Sequence, residues 1–304
     1  MSNDASGKPP KKPWQDKPWA GKKGPGRSAG GHRGKSSFRP KFHKPKRPAG
    51  PGADRPALLD EADGPLRLFG LHAIEAALKN PNRAVKRLLL TENAERRLVE
   101  ATGALQHPVE HVTPRDLDKM LGADTVHQGA MLETEPLPEP AFEDLIANAN
   151  GRPLIVLDQV TDPHNVGAIL RSAAVFGAAG VVLTRRHSPP LNGVLAKSAS
   201  GALELVPVAL VQNLARALLD LKDVGFRIVG LDGEAEAALE DLDWSVPTAL
   251  VMGAEGKGLR QLTADTADLL ARITTDGPIA SLNVSNAAAI ALHTAALARV
   301  KARS

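Results

Sequence analysis

No cysteine occurs anywhere in the 304 residues. Disulfides, cysteine-ligated zinc and thiol nucleophiles are therefore excluded, and a reducing, cytoplasmic setting suits the composition. Aromatic residues make up only 3 % of the chain, so aliphatic side chains and alanine must fill any core. Long apolar runs are missing as well. A membrane-spanning helix needs about 20 consecutive apolar residues, and the nearest candidate, 287–300, is shorter and carries His293 and Arg299. No apolar segment follows the first charges, which argues against a secretory signal. The expectation is a soluble, cytoplasmic protein with no membrane partner.

What is present is spread unevenly. A net charge of +4 conceals a division: residues 1–55 hold 15 Lys/Arg against Asp4, Asp16 and Asp54, a net +12, and the remainder carries −8. From 1 to 64 the chain is rich in Lys, Arg, Gly and Pro, with almost no aliphatic residues. Such a segment cannot bury enough apolar surface to offset its ordering entropy, so it reads as a disordered basic tail. Trp14, Trp19, Phe38 and Phe42 lie among the cations. Aromatics stack on unpaired bases while cations meet phosphates; the plainer reading is a solubilising tail.

The length suffices for two modest domains of about 100–200 residues each. Residues 65–135 read as a small α/β unit, with strands at 67–69, 85–90, 109–112 and 130–133 and helices at 72–79 and 94–105. Pro136, Pro138 and Pro140 mark 136–150 as a linker. From 151 to 304 strands are expected at 154–158, 181–184, 206–211, 227–231, 249–252 and 271–274. Helices are expected at 165–176, 214–224 and 284–301. The strands show little polar alternation, as parallel strands covered on both faces do, so the domain reads as a mostly parallel α/β sheet.

Three loops follow predicted strands, where ligands of open α/β sheets bind. The first, 158–171, reads DQVTDPHNVGAILR. Asp162-Pro163 marks a helix start, and Arg171 falls outside the apolar face made by Val166, Ile169 and Leu170. The second, 252–259, reads MGAEGKGL, three glycines that let backbone approach a ligand closely. Its Gly256-Lys257 is not a phosphate-binding P-loop, because the spacing is two rather than four and Gly258 replaces Ser/Thr. The third, 279–286, reads IASLNVSN and runs into the last helix, where Ser and Asn by themselves suggest capping.

Together, and in this order, the three loops resemble the signature motifs of the SPOUT methyltransferases, specifically the TrmH-like RNA 2′-O-ribose methyltransferases, over about 151–302. Upstream, FGLHAIEAAL at 69–78 and HQGA at 127–130 are similar to the small RNA-binding domain of RlmB-type enzymes, which modify a guanosine in 23S ribosomal RNA. The resemblance implies a C-terminal trefoil knot, a homodimer, and a bent S-adenosylmethionine held mainly by backbone at Gly253, Ile273 and Leu282. It assigns the active site to Asn165, Arg171, Glu255, Ser281 and Asn283, with no metal. A ribose hydroxyl is a poor nucleophile, so catalysis must orient it and help remove its proton. Arg171 is implied to activate the hydroxyl or to hold the adjacent phosphate, and Glu255 is the expected bidentate partner of Arg171. Two other readings stay open: a tRNA ribose methyltransferase of the same superfamily, and a catalytically inactive RNA-binding ribosome-assembly protein.

One further pattern has a different meaning on its face. His107-Pro-Val-Glu-His111 matches a zinc-protease arrangement, but that chemistry needs both histidines on one helix face, and Pro108 and Pro114 bracket a strand-like run. His293 reads as a packed or half-exposed residue of the last helix.

Overall fold

Leu68, Leu88, Leu90 and Leu132 are fully buried, and they define the first of two sheets in the computed structural model, which describes residues 65–278 and 281–302. The basic tail lies outside the described residues. Strands β1 (Leu66–Phe69), β2 (Val85–Leu90), β3 (Val109–His111) and β4 (Ala130–Thr134) stand in the order β1-β4-β2-β3. Pairing is antiparallel except between β2 and β3. Helices α1 (Leu71–Lys79), α2 (Glu92–Thr102) and α3 (Pro114–Leu121) connect them. Helix α2 begins two residues earlier than the apolar period suggests, because Thr91 accepts a hydrogen bond from Ala94 N. It stops at Gly103, whose φ of 79° suits glycine. Helix α3 escapes the periodicity argument but carries a full capping box between Thr113 and Asp116 behind Pro114, the local chemistry that starts a helix. His107 precedes strand β3 and His111 ends it, so the two do not share a helix face and the zinc-protease geometry is not formed; His111 pairs with Glu95 at 2.7 Å.

Beyond Pro136 come α4 (Phe142–Ala147), β5 (Leu154–Asp158), α5 (Pro163–Phe176), β6 (Gly180–Thr184), α6 (Gly193–Ser198), β7 (Val208–Val211) and α7 (Leu214–Asp223). Strands β8 (Arg227–Leu231), β9 (Ala237–Ala238), β10 (Thr248–Gly253) and β11 (Leu269–Arg272) follow, with α8 (Gln261–Thr266) before β11 and α9 (Val284–Lys301) at the end. The second sheet has the order β7-β6-β5-β10-β8-β11-β9, parallel throughout. Every residue of β5 and β6 is buried, which accounts for their unbroken apolar runs. Helices α4, α6 and α8 have six residues each, too few to display a period. Helix α4, inside the proline-marked stretch, is held by the burial of Leu145 against Ala179 and Val182. Strand β11 lies two residues earlier than its apolar run suggests, in the register set by Leu269 opposite Val229.

The chain runs outward from β5 through β6 to β7, then crosses to the other side for β8. Strand β10 later enters between β5 and β8, so the direction of progression reverses at the β5–β10 seam. Ligands of doubly wound sheets bind outside the carboxyl ends of strands at such a seam.

The smaller sheet is joined to the larger one through a shared core. Leu68, Leu88 and Leu132 belong to one buried cluster with Ile155, Ile169 and Leu195. Gly193 sits where a Cβ would strike the Arg67 carbonyl and the Phe69 ring. At the edge of this junction Arg83 meets Glu204 in a two-pronged pair, Nη2–Oε1 at 2.6 Å and Nε–Oε2 at 3.2 Å, with both side chains almost fully buried. Arg83 Nη1 also donates to the Glu135 carbonyl, and Asn80 donates to Glu204. Every strong donor and acceptor of that ion pair is thus matched, as a buried charge requires.

Candidate active site

Strands β5 and β10 are neighbours in parallel register, with Gly253 opposite Asp158. The loops that leave them must therefore emerge side by side. Helix α5 begins at once after the first loop: Asp162 caps it by accepting from His164 N at 2.9 Å, and Pro163 opens it. This places Asn165 in the first turn, 9 % exposed. The second loop turns back on itself through a bridge between Ala254 and Gly258. Gly253 has no room for a side chain, since a Cβ there would collide with the Gly258 backbone. Gly256 and Gly258 have φ of 72° and 66°, values that suit glycine. Glu255 is held at the turn's near end.

The third loop brings Asn283 to the start of α9. Its Oδ1 accepts from Ser285 N at 2.8 Å and from Ser285 Oγ at 2.6 Å, which is the capping role. Its amide does something more. Asn283 Nδ2 donates to Asn165 Oδ1 at 3.0 Å and also to Glu255 Oε1. Asn165 Nδ2 donates to the same Glu255 oxygen at 2.9 Å. One residue from each of the three loops thus closes a polar triangle at the β5–β10 seam. Glu255 Oε2 has no hydrogen-bond partner among the described residues, so the cluster keeps one carboxylate oxygen available.

The other expected site residues are placed differently. Arg171 lies two turns along α5 and is exposed. Glu255 takes its donors from the two asparagines, and among the described residues no ion pair joins it to Arg171. The bidentate Arg171–Glu255 contact that the resemblance implies is not formed between these two residues of one chain. Ser281 and Leu282 are exposed at the entrance to α9, while Ile273 follows β11 and packs partly against the core. Residues 279 and 280 of the third loop lie outside the described residues. The Gly253 turn follows β10, while Ile273 and Leu282 both follow β11, which β8 separates from β10 in the sheet. Leu282 is exposed and Ile273 half-buried, so both can offer apolar contact, and Gly253 has no side chain to keep a ligand off its backbone. That chemistry fits a nucleoside-bearing cofactor.

Two positioning residues carry no signal that sequence reasoning used. Asp158, at the last position of β5, has a fully buried side chain and accepts from Arg260 Nε at 2.6 Å and Arg260 N at 3.1 Å. The pair fastens the far end of the Glu255 turn to the strand beside it. An aspartate ending an otherwise apolar strand was the available clue. His293 is exposed rather than packed in a core, with its ring edge-on to Phe176 of α5 at 5.5 Å between centroids.

Residues 152–293 match the SpoU rRNA methylase family, and residues 67–140 match an RNA 2′-O ribose methyltransferase substrate-binding family. The chain is also 42 % identical over 234 residues to a Pseudomonas aeruginosa protein named 23S rRNA (guanosine-2′-O-)-methyltransferase RlmB, covering 74 % of this chain and 94 % of that one. This chain belongs to the SpoU rRNA methylase family. Two solved structures share its fold. An AdoMet-bound rRNA methyltransferase from Sinorhizobium meliloti is similar at 26 % identity and a TM-score of 0.63, over 76 % of this chain and 86 % of that one. The SpoU methyltransferase AviRb from Streptomyces viridochromogenes, at 23 % identity and a TM-score of 0.66, shares the fold over 79 % of this chain and 91 % of that one. The Asn165–Glu255–Asn283 triangle unites the three loops at the seam of the sheet. Among the described residues no helix is long and apolar enough to cross a membrane.

Proposed function

We propose that this protein transfers a methyl group from S-adenosylmethionine to the ribose 2′-hydroxyl of a guanosine in 23S rRNA, working as a cytoplasmic homodimer. The observation that carries this reading is the three-loop polar triangle in a chain that covers nearly the whole of an RlmB relative. In this reading residues 65–135 bind the RNA substrate and 151–304 carry out the transfer, with 136–150 joining them and the basic tail adding RNA affinity.

Gly253, Ile273 and Leu282 would hold the cofactor, whose sulfonium supplies an activated methyl group. The chain's own task is to present the hydroxyl and accept or steady its proton. Asn165 and Asn283 fix Glu255 Oε1, which leaves Oε2 free to accept a hydrogen bond from the ribose hydroxyl. Ser281 stands at the rim as a second polar contact. A guanidinium offers donors and positive charge but no acceptor, so the role of Arg171 is to hold the neighbouring phosphate or to stabilise developing negative charge on the oxygen.

Arg171 makes no hydrogen bond or ion pair to the triangle among the described residues; in this reading it acts from a second copy of the chain, and the surface supports that arrangement. Helices α5 and α9 pack side by side, with Phe176 meeting His293, and they expose Val175, Ile290 and Leu297. Apolar side chains repeated on two adjacent helices suit an isologous interface. The insertion of β10 between β5 and β8, followed by the return of α9 onto α5, is what a knotted C-terminus would require.

Mapping ribose methylation on total RNA from cells with and without the protein tests the reading. One 23S guanosine losing its 2′-O-methyl group is the expected result. Loss confined to tRNA, or no loss at all, would overturn it.

A further inference from the structure

A cavity of about 320 Å³ opens beside the polar triangle, lined by Gln159, Asp162, Asn165, His187, Glu255 and Lys257 among others. Its volume falls at the lower end of the ~300–1,000 Å³ typical of small-ligand pockets, enough for a single nucleotide unit rather than a helix end. One wall is the Asn165–Glu255 pair already described. The facing residues have been given no role.

Two of them, Gln159 and His187, are non-glycine residues in the left-handed region, with φ of 60° and 68°. Such backbone persists only where its surroundings over-determine it, and it collects at ligand sites. Here the surroundings are visible. The buried Thr184 hydroxyl donates to the Arg186 carbonyl and lies 3.3 Å from Ser188 Oγ, so the loop is pinned on both sides of His187. Lys257 stands between the two positive-φ glycines at the tip of the Glu255 turn. Neither the His187 ring nor the Lys257 ammonium has a hydrogen-bond or ion-pair partner among the described residues, although Asp162 and Glu255 line the same cavity.

We propose that this cavity seats the target nucleotide, with a His187 ring N–H donating to the N7/O6 edge of guanine and Lys257 meeting the adjoining phosphate. The inference rests on the function proposed above. A nucleotide carries its ribose between base and phosphate, and the cavity offers three matching contacts: a ring donor, the reactive triangle and a point cation. Guanine presents two acceptors, N7 and O6, on that edge. Sequence-specific recognition of RNA targets loops and bulges, whose unstacked bases open their Watson–Crick and Hoogsteen edges to side chains. Lys257, a flexible point charge rather than a planar fork, suits one phosphate without demanding its orientation.

The test uses a 23S fragment that carries either guanosine or 7-deazaguanosine at the methylated position. His187→Gly suits the left-handed backbone and removes only the ring, so folding is not at risk. Wild-type protein should lose about tenfold in kcat/KM on the deaza fragment, the size of one lost base contact. His187→Gly should lose about as much on guanosine and nothing further on the deaza fragment. Lys257→Ala should raise the KM for RNA about tenfold with kcat within about twofold, and Lys257→Arg should restore it. Affinity for S-adenosylmethionine should be the same in all four proteins. A His187→Gly enzyme that remains as sensitive to the deaza substitution as wild type overturns this inference alone, as does a Lys257→Ala enzyme with unchanged KM. Wild-type protein that transfers no methyl group to the fragment overturns the proposed function, and this inference with it.

Discussion

Asn283 does two jobs with one side chain, and they can be separated. Its oxygen caps α9 while its amide donates to Asn165 and Glu255. Asn283→Ala should cost about 1 kcal/mol of stability from the lost cap, together with most of the activity. Asn283→Asp keeps a capping oxygen but sets a second carboxylate against Glu255. Like charges at that range raise the pKa of one of the two, so activity should fall at neutral pH and recover partly as pH is lowered and one carboxyl takes a proton. A pH–rate profile with the same shape as wild type would contradict the arrangement. Arg171 poses the converse case, a side chain with no hydrogen bond or ion pair to the triangle among the described residues. Arg171→Ala should lower kcat by more than about tenfold, at least ~1.4 kcal/mol of barrier, while cofactor affinity by calorimetry stays near wild type. A smaller loss would remove Arg171 from the chemistry.

At the scale of elements, the junction between the two sheets depends on complete pairing of a buried charge. Arg83 and Glu204 come from the β2 approach and from the 3-10 turn Ala202–Glu204, and both side chains are excluded from water. Arg83→Ala leaves the Glu204 carboxylate buried with only the Asn80 amide. Breaking one half of such a pair typically costs about 3–5 kcal/mol, readable by urea unfolding of the purified protein. A double replacement, Arg83→Met with Glu204→Leu, should recover most of that loss because no lone charge remains. Equal instability of single and double variants would mean that the packing around the pair, not its charge, holds the junction.

For the whole molecule, the exposed faces of α5 and α9 and the isolation of Arg171 lead to one expectation: the site is completed across two chains. Gly253→Val should disable its own cofactor loop, since a Cβ there meets the Gly258 backbone, yet leave Arg171 intact. Mixing Arg171→Ala chains with Gly253→Val chains should then restore part of the activity that neither has alone. Light scattering that gives a monomer at micromolar concentration would refute the idea. Charge is also organised at this scale, with +12 in residues 1–55 and −8 elsewhere. Phosphate neutralisation releases counterions, so a chain lacking residues 1–53 should bind rRNA more weakly and with a flatter salt dependence. Its choice of nucleotide should not change, because phosphate contacts position without specifying. Identical salt slopes for the two proteins would reduce the tail to a spacer.

Much of the architecture was legible in the residues because its causes are local. Unbroken apolar runs such as LIVLD in β5 announce strands buried on both faces, and Asp162-Pro163 announces the start of α5, each through the conformational preferences of neighbouring residues. The three loops could be picked out because each follows a predicted strand, whereas Asn165, Glu255 and Asn283 were marked only by the resemblance of those loops to the family's motifs. Their meeting could not. It follows from β10 entering between β5 and β8, a non-local pairing that brings residues 90 and 118 positions apart into hydrogen-bond contact. Helices α4, α6 and α8 were missed because six residues cannot show a period; burial of single side chains such as Leu145 holds them. The Asp158–Arg260 clasp and the Arg83–Glu204 pair likewise span more than a hundred residues, and nothing in local sequence marks which charge a buried carboxylate will find. The sequence determined the elements and the inventory of reactive groups, since propensity, capping and patterning act over a few residues. Only the tertiary structure decided that Glu255 is held by two asparagines rather than by Arg171, because strand order alone sets which loops share a seam.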